Sequence, residues 1–351
     1  TKRLPELVPG FRVSDAERAQ VLKISDHLFR SRNVSAFLIE DEAQLGAKLS
    51  SLVTPDVALS PSVPDIGFVH RKLANGETYF LANTGNTRHT TIATFRVTQL
   101  QPEWWDPMSG NVSAAAVKHR TATTISVDLD LEPYASRILV FSARTLQPDL
   151  HRTVPGKIID LSRGWRVTFG NKQTVVMDEL RSWTASDDTR YFSGRATYEK
   201  TVFVSQTSLG AGSSALLDFG EGKPIPSHEL KAGMQAWLDA PVREAAVVYV
   251  NGERAGSLWC PPYSVDVTKL LHPGANNLKV EVANLAVNHM AGRSLPDYRL
   301  LNLRYGTRFE AQDMDKVQSI PAGLFGPIRL ATFGTAVHNG NSKVPRRADL
   351  R

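Results

Sequence analysis

Residues 248–259 read Val-Tyr-Val-Asn-Gly-Glu-Arg-Ala-Gly-Ser-Leu-Trp, and residues 261–271 continue Pro-Pro-Tyr-Ser-Val-Asp-Val-Thr-Lys-Leu-Leu. Asn-Gly between apolar-rich runs is the strongest short hairpin signal, because both turn residues must accept φ > 0. The Pro-Pro pair turns a corner. Tyr263, Val265 and Val267 then alternate with polar residues, and after Pro273-Gly274 so do Leu278, Val280 and Val282. A period of two means strands with one buried face.

The pattern extends outward from this unit. Strands are expected at 165–169, 196–203, 215–219, 234–238, 245–250, 278–282 and 328–332, with helical periodicity nearly absent. Such a set over residues 158–333 fits a jelly roll. Upstream, runs at 66–73 and 77–82 flank Ala74-Asn75-Gly76, and further strands are expected at 90–97, 124–131 and 136–142. Residues 61–147 therefore read as a small antiparallel β-sandwich. Stretches 55–64 and 146–157, each with prolines, read as connectors.

The first sixty residues differ. Ala16, Ala19, Val21, Leu22, Ile24, Leu28 and Phe29 predict a helix over 14–29, with Ser14 and Glu17 forming a capping box. Residues 34–39 read as a short buried strand, and 42–52 as a helix with Leu45, Leu49 and Leu52 on one face. One strand cannot bury both faces of a sheet, so 1–60 reads as the end of an α/β domain that began upstream. The tail 334–351, with Lys343, Arg346, Arg347 and Arg351, reads as a disordered basic end. The fold class expected is mainly β: a small sandwich, then a jelly roll, after a short α/β remnant.

Composition narrows the function classes. At 351 residues, two or three domains are expected. A 42% hydrophobic content argues against general disorder. No apolar run approaches the ~18–20 residues of a membrane helix. The net charge of +6 is scattered except at the tail, so no nucleic-acid face is expected. Cys260 is the single cysteine, which excludes an internal disulfide and a thiolate metal site; it reads as a packed small hydrophobe. The sequence starts at Thr1 without the apolar core of a signal peptide, as if a leader had been removed or the chain began mid-sequence.

The hairpin and corner resemble the sugar-binding jelly roll of glycoside hydrolase family 2 and its relatives. Phe192-Ser193-Gly194-Arg195-Ala196-Thr197-Tyr198, Leu217-Asp218-Phe219-Gly220 and Gly323-Leu324-Phe325-Gly326-Pro327-Ile328-Arg329-Leu330 match other pieces of that domain in order. The middle segment is similar to the stretch after the catalytic domain in family 106 α-L-rhamnosidases. It carries His70-Arg71, Tyr79-Phe80-Leu81-Ala82-Asn83, Phe95-Arg96-Val97 and Trp104-Trp105-Asp106-Pro107. This chain departs from the pattern at Cys260, where a basic residue is common, and at Ala286, where Trp is common.

The resemblance implies a secreted or periplasmic enzyme acting on rhamnose-containing glycans. Its barrel, with the acid and base, would lie upstream of Thr1 and dock against these sandwiches, with no cofactor. Glycosidases need two carboxyl groups flanking the bond. Asp128 with Asp130, Asp187 with Asp188, and Asp313 with Asp315 are paired in sequence, but read as solvated loop or edge carboxylates. No catalytic residue and no metal ligand is assigned; calcium at Asp313 and Asp315 is the metal alternative weighed. Sugars are held by aromatic faces and polar side chains, which makes Trp104, Trp105, Trp259, Tyr263, Asn288, His289 and Arg293 the candidate carbohydrate contacts. Core or interdomain packing competes for the aromatic residues. The rival functions are an autonomous carbohydrate-binding module and a purely structural scaffold.

Overall fold

The structure is a computed structural model that describes residues 4–8, 12–30, 36–108, 110–146, 153–171, 174–210, 212–226, 237–295, 297–308 and 316–335. The expected tail beyond 335, the Asp313/Asp315 pair and residues 234–236 of one expected strand lie outside the described residues.

Helix α1 (Asp15–Arg30) begins at the expected capping box. Ser14 N donates to Glu17 Oε2 at 2.8 Å and Glu17 N donates back to Ser14 Oγ at 3.3 Å. Helix α2 (Leu45–Leu52) follows a short 3-10 turn. Of the strand expected at 34–39, the described residues 36–39 belong to no helix or strand. They lack a partner strand, and a lone strand leaves its backbone groups unpaired.

Nine strands build the first sandwich: β1 (Val57–Ser60), β2 (Ile66–Leu73), β3 (Gly76–Asn83), β4 (His89–Phe95), β5 (Gln101–Trp105), β6 (Val112–Ala114), β7 (Val117–Arg120), β8 (Ile125–Leu131) and β9 (Ser136–Ser142). They form a four-stranded sheet, β1-β4-β8-β7, and a five-stranded sheet, β2-β3-β9-β5-β6. Strand β1 lies in the stretch read as a connector; it pairs with β4, Val57 opposite Phe95. Alternation on β3, β8 and β9 buries Tyr79, Leu81, Val127, Leu129, Leu139 and Phe141 between the sheets. The β2–β3 loop is Ala74-Asn75, with Leu73 opposite Gly76. Gly76 is required by close approach, since a Cβ there would sit 2.3 Å from the Phe141 carbonyl oxygen.

The second sandwich holds fourteen strands: β10 (Thr153–Asp160), β11 (Arg163–Phe169), β12 (Thr174–Glu179), β13 (Arg195–Val204), β14 (Ser214–Asp218), β15 (Lys223–Pro224), β16 (Leu238–Asp239), β17 (Val242–Arg243), β18 (Ala245–Val250), β19 (Glu253–Leu258), β20 (Ser264–Asp266), β21 (Gly274–Ala283), β22 (Gly323–Leu324) and β23 (Arg329–Thr335). A six-stranded sheet, β12-β11-β13-β21-β18-β19, faces a four-stranded one, β10-β23-β14-β20. This is the jelly-roll type of β-sandwich. The Asn251-Gly252 hairpin has φ of 53° and 87°, the positive pair that a two-residue turn between twisted strands demands. Strand β10 occupies part of the stretch read as a linker. Two short helices, α3 (Val287–Ala291) and α4 (Arg299–Tyr305), were not expected. Trp165, Phe169, Trp183, Tyr198, Phe219 and Val280 anchor a separate core.

The sandwiches touch through polar contacts. Asn86 Nδ2 donates to the carbonyls of Ile225 (2.8 Å) and Trp237 (2.9 Å), and Trp237 N donates to Tyr134 Oη at 2.8 Å. Arg88 pairs with Asp130 and Glu132 of the first sandwich and reaches Glu221 of the second at 4.0 Å.

Candidate functional site

The seven candidate residues fall in two places. Trp104 and Trp105 end β5. Extended backbone sends their side chains to opposite faces. Trp104 turns inward, half-buried against the first core, with the Arg137 guanidinium 5.6 Å from its ring. Trp105 turns outward and is 43% exposed. Its Nε1 donates to Glu103 Oε2 at 3.2 Å. Glu103 is 1% exposed and forms an ion pair with Arg144, whose Nε donates at 2.8 Å. Arg144 and the hydrogen bonds outweigh burial and hold the Glu103 carboxyl below the usual range.

Trp259, Asn288, His289 and Arg293 lie near one end of the six-stranded sheet, while Tyr263 leads into β20 of the four-stranded sheet. Leu258 pairs with Ala246, and Ala246 with Val282. The chain leaving β19 at Trp259 and the chain leaving β21 toward α3 therefore emerge at the same end, two strand spacings or about 10 Å apart. Trp259 is 58% exposed. Tyr263 is buried, so its role is packing; burial, with Cys260 and Glu244 beside it, pushes its hydroxyl up to about 12. Cys260 is half-buried, and burial raises its thiol.

Asn288 is fully buried on α3. Its side chain accepts from Ile320 N at 2.8 Å and donates to Ile320 O at 2.9 Å. Those two bonds pin the 320 segment, and leave Asn288 a structural clamp. His289 and Arg293 are exposed, with His289 N bonded to Ser193 Oγ at 2.9 Å. Of the seven, Trp105, Trp259, His289 and Arg293 present themselves to solvent, and the last three share one end of the sheet.

Three features could not be read from the sequence because at least one partner of each is distant in the chain. One is the ion pair of buried Glu103 with exposed Arg144 under Trp105. The second is Arg243 beside Trp259's corner. It pairs with Asp239 and lies 5.0 Å from the Phe325 ring centroid. Its guanidinium is lowered by burial. The third is Glu132, whose carboxyl burial raises despite Arg88.

Three of the carboxylates paired in sequence are engaged with cations: Asp128 with Lys118, Asp130 with Arg88, Asp187 with Arg190. Among the described residues no group of three or more His, Cys, Asp or Glu could hold a metal ion. No helix among them is long and apolar enough to cross a membrane. Open grooves occur among the described residues. One of 410 Å³ lies between the sandwiches, with Asp65, Tyr134, Pro224 and Trp237 in its walls. One of 540 Å³ is lined by Lys157 and by hydroxyls such as Ser205 and Thr207. Neither includes a candidate residue. The arrangement can stack a ring on an exposed indole and offer cationic donors; it assembles no acid–base pair.

Comparison with known proteins places this architecture among glycoside hydrolases. A rhamnosidase structure from Novosphingobium sp. PP1Y superposes on 90% of this chain, and on 29% of its own, with a TM-score of 0.65 and 26% identity. A putative beta-glucuronidase from Formosa agariphila is 30% identical over 205 residues, 51% of this chain and 16% of that protein. The family model that matches is the alpha-L-rhamnosidase model, over residues 3–119. The resemblance read from the sequence is thus borne out over the helices and most of the first sandwich, and the chain is similar to part of these glycoside hydrolases. It spans under a third of either relative's length.

Proposed function

We propose that the chain is the accessory C-terminal β-sandwich region of an α-L-rhamnosidase that removes terminal rhamnose from glycans or glycosides. The observation that carries this reading is the 90% superposition on a rhamnosidase of which it covers 29%. A β/α barrel needs eight alternating strands and helices; the described residues form antiparallel sheets. The acid and base would lie in a catalytic barrel outside these residues, against which the sandwiches dock. The division we propose is 1–60 as the end of that α/β part, 61–147 as the small sandwich, 158–333 as the jelly roll and 334–351 as a tail. The compartment would be extracellular or periplasmic, where polymeric substrates are met.

The test is hydrolysis of an aryl α-L-rhamnoside by the product of the whole reading frame. Activity on that substrate with none on the aryl β-glucuronide supports the reading; the reverse preference rejects it.

A second reading, carbohydrate binding by the jelly roll itself, is favoured by the exposure of Trp259 beside His289 and Arg293. Saturable quenching of tryptophan fluorescence by a rhamnose oligosaccharide, lost in Trp259→Ala, would support it. Quenching unchanged in that variant would remove Trp259 from any sugar site.

A further inference from the structure

Strand pairing lines up one residue from each strand of the five-stranded sheet. Val69 stands opposite Phe80, Phe80 opposite Ile138, Ile138 opposite Trp105, and Trp105 opposite Val112. Neighbouring strands lie 4.7–4.9 Å apart, so this row runs about 19 Å across the sheet. Leu81 and Leu139, next along their strands, fill the core, so alternation puts the row on the outer face. Val69, Phe80, Trp105 and Val112 are 41–46% exposed, and Ile138 is half-buried.

The flanking rows add no free charge to the middle of the face. Gly67, Ala82 and Ser136 pair on one side; Arg71, Thr78, Val140, Glu103 and Ala114 pair on the other, with Arg71 out on the edge strand. Arg144 neutralises Glu103. The solvated face of an antiparallel sheet is ordinarily polar, and a contiguous apolar patch marks an interaction site.

Trp105 is held ready within it, because the Glu103 bond restrains an indole that is otherwise in solvent. Tryptophan is among the residue types enriched at the energetic hot spots of protein interfaces. Aliphatic and aromatic side chains without convergent hydrogen-bonding groups suit a protein surface better than a sugar, which needs polar partners.

Two facts say what covers it. Four of the five row residues, and the exposed apolar residues Leu22, Leu28 and Leu49 of α1 and α2, fall within the 3–119 stretch that matches the rhamnosidase family. The rhamnosidase that superposes on this chain has most of its length outside the superposed part. We infer that the Val69–Phe80–Ile138–Trp105–Val112 row is the face on which the catalytic part of the same enzyme docks, with Trp105 as the anchor. The inference rests on the reading above that the chain belongs to a longer hydrolase.

The experiment is oxidative footprinting of Trp105, followed by mass spectrometry, on the 351-residue chain and on the product of the whole reading frame. Trp105 should be labelled in the chain and lose its labelling in the longer product. Val69→Lys with Ile138→Lys should restore labelling there, while leaving the thermal transition of the 351-residue chain in place. Equal labelling in both proteins overturns the inference. So does a reading frame that adds no further domain, protection that appears only with added L-rhamnose, or protection that grows with concentration of the chain alone. Rhamnoside hydrolysis is measured on the same samples. A protected Trp105 in an enzyme inactive on rhamnosides keeps the docking face and rejects the rhamnosidase reading; an active enzyme with Trp105 labelled does the converse.

Discussion

Trp183 Nε1 donates a 2.6 Å hydrogen bond to Tyr198 Oη in the core of the second sandwich. Both side chains are fully buried, and the Leu324 backbone also bonds that hydroxyl. Gly323 passes so close, at φ +113°, that a Cβ would lie 2.5 Å from Trp183 Nε1 and 2.9 Å from Tyr198 Oη. Two pieces of the sequence pattern, the 192–198 stretch ending in Tyr198 and the closing Gly-Leu-Phe-Gly, thus meet at one indole.

Tyr198→Phe leaves the Trp183 donor buried and unpaired, at a cost of about 1–3 kcal/mol. Gly323→Ala adds a steric clash and a strained backbone to the same place. Urea unfolding should show Gly323→Ala losing more stability than Tyr198→Phe. Equal midpoints for both variants and the parent would remove this contact from the fold's determinants.

Asn288 was a candidate sugar contact, and the structure makes it a clamp on Ile320. Asn288→Ala should destabilise the jelly roll by about 1–3 kcal/mol, since two backbone groups lose their partner. Any sugar affinity measured by calorimetry should be unaffected in the folded fraction. Lost affinity at unchanged stability would return Asn288 to the binding surface.

Glu103 titrates below the usual carboxylate range because Arg144 faces it. A depressed folded pKa contributes stability that is present above the unfolded value, about 4.3, and that is lost as pH falls through the folded value. Glu103→Gln removes that part of the acid sensitivity. Melting temperatures followed downward from pH 5 should fall more steeply for the parent than for the variant; parallel curves would mean that the pair adds nothing.

Cys260 sits half-buried beside Tyr263, and burial raises its thiol. Only the thiolate attacks a disulfide reagent. Modification at pH 8 should therefore be slower in the folded chain than in urea. A folded-state rate equal to the unfolded one would show the thiol to be free and ordinary.

Local chemistry was readable from the sequence where the signal was itself local. The Ser14–Glu17 box, the Asn251-Gly252 hairpin and the alternation of β18 and β9 depend on neighbours a few residues away. Strand β1 was not readable, because Val57 acquires its role only by pairing with Phe95. Helix α4 was missed for a related reason: Leu300 and Leu303 are 81% and 83% exposed, so its apolar residues mark no buried stripe. The strand expected near 34–39 illustrates the opposite error, an apolar run whose described residues, 36–39, join no sheet. Among the candidate contacts, aromatic type alone could not separate Trp259, which is exposed, from Tyr263, which is core. That depends on which side of the Pro-Pro corner each ring falls.

The central claim is that this chain is the non-catalytic part of a rhamnosidase. The most direct measurement is release of aryl alcohol from an aryl α-L-rhamnoside by the purified 351-residue chain, beside the product of the whole reading frame. The expected result is turnover by the longer product and none by the chain. Turnover by the chain alone would contradict the claim, because the acid and base would then have to lie among the residues described.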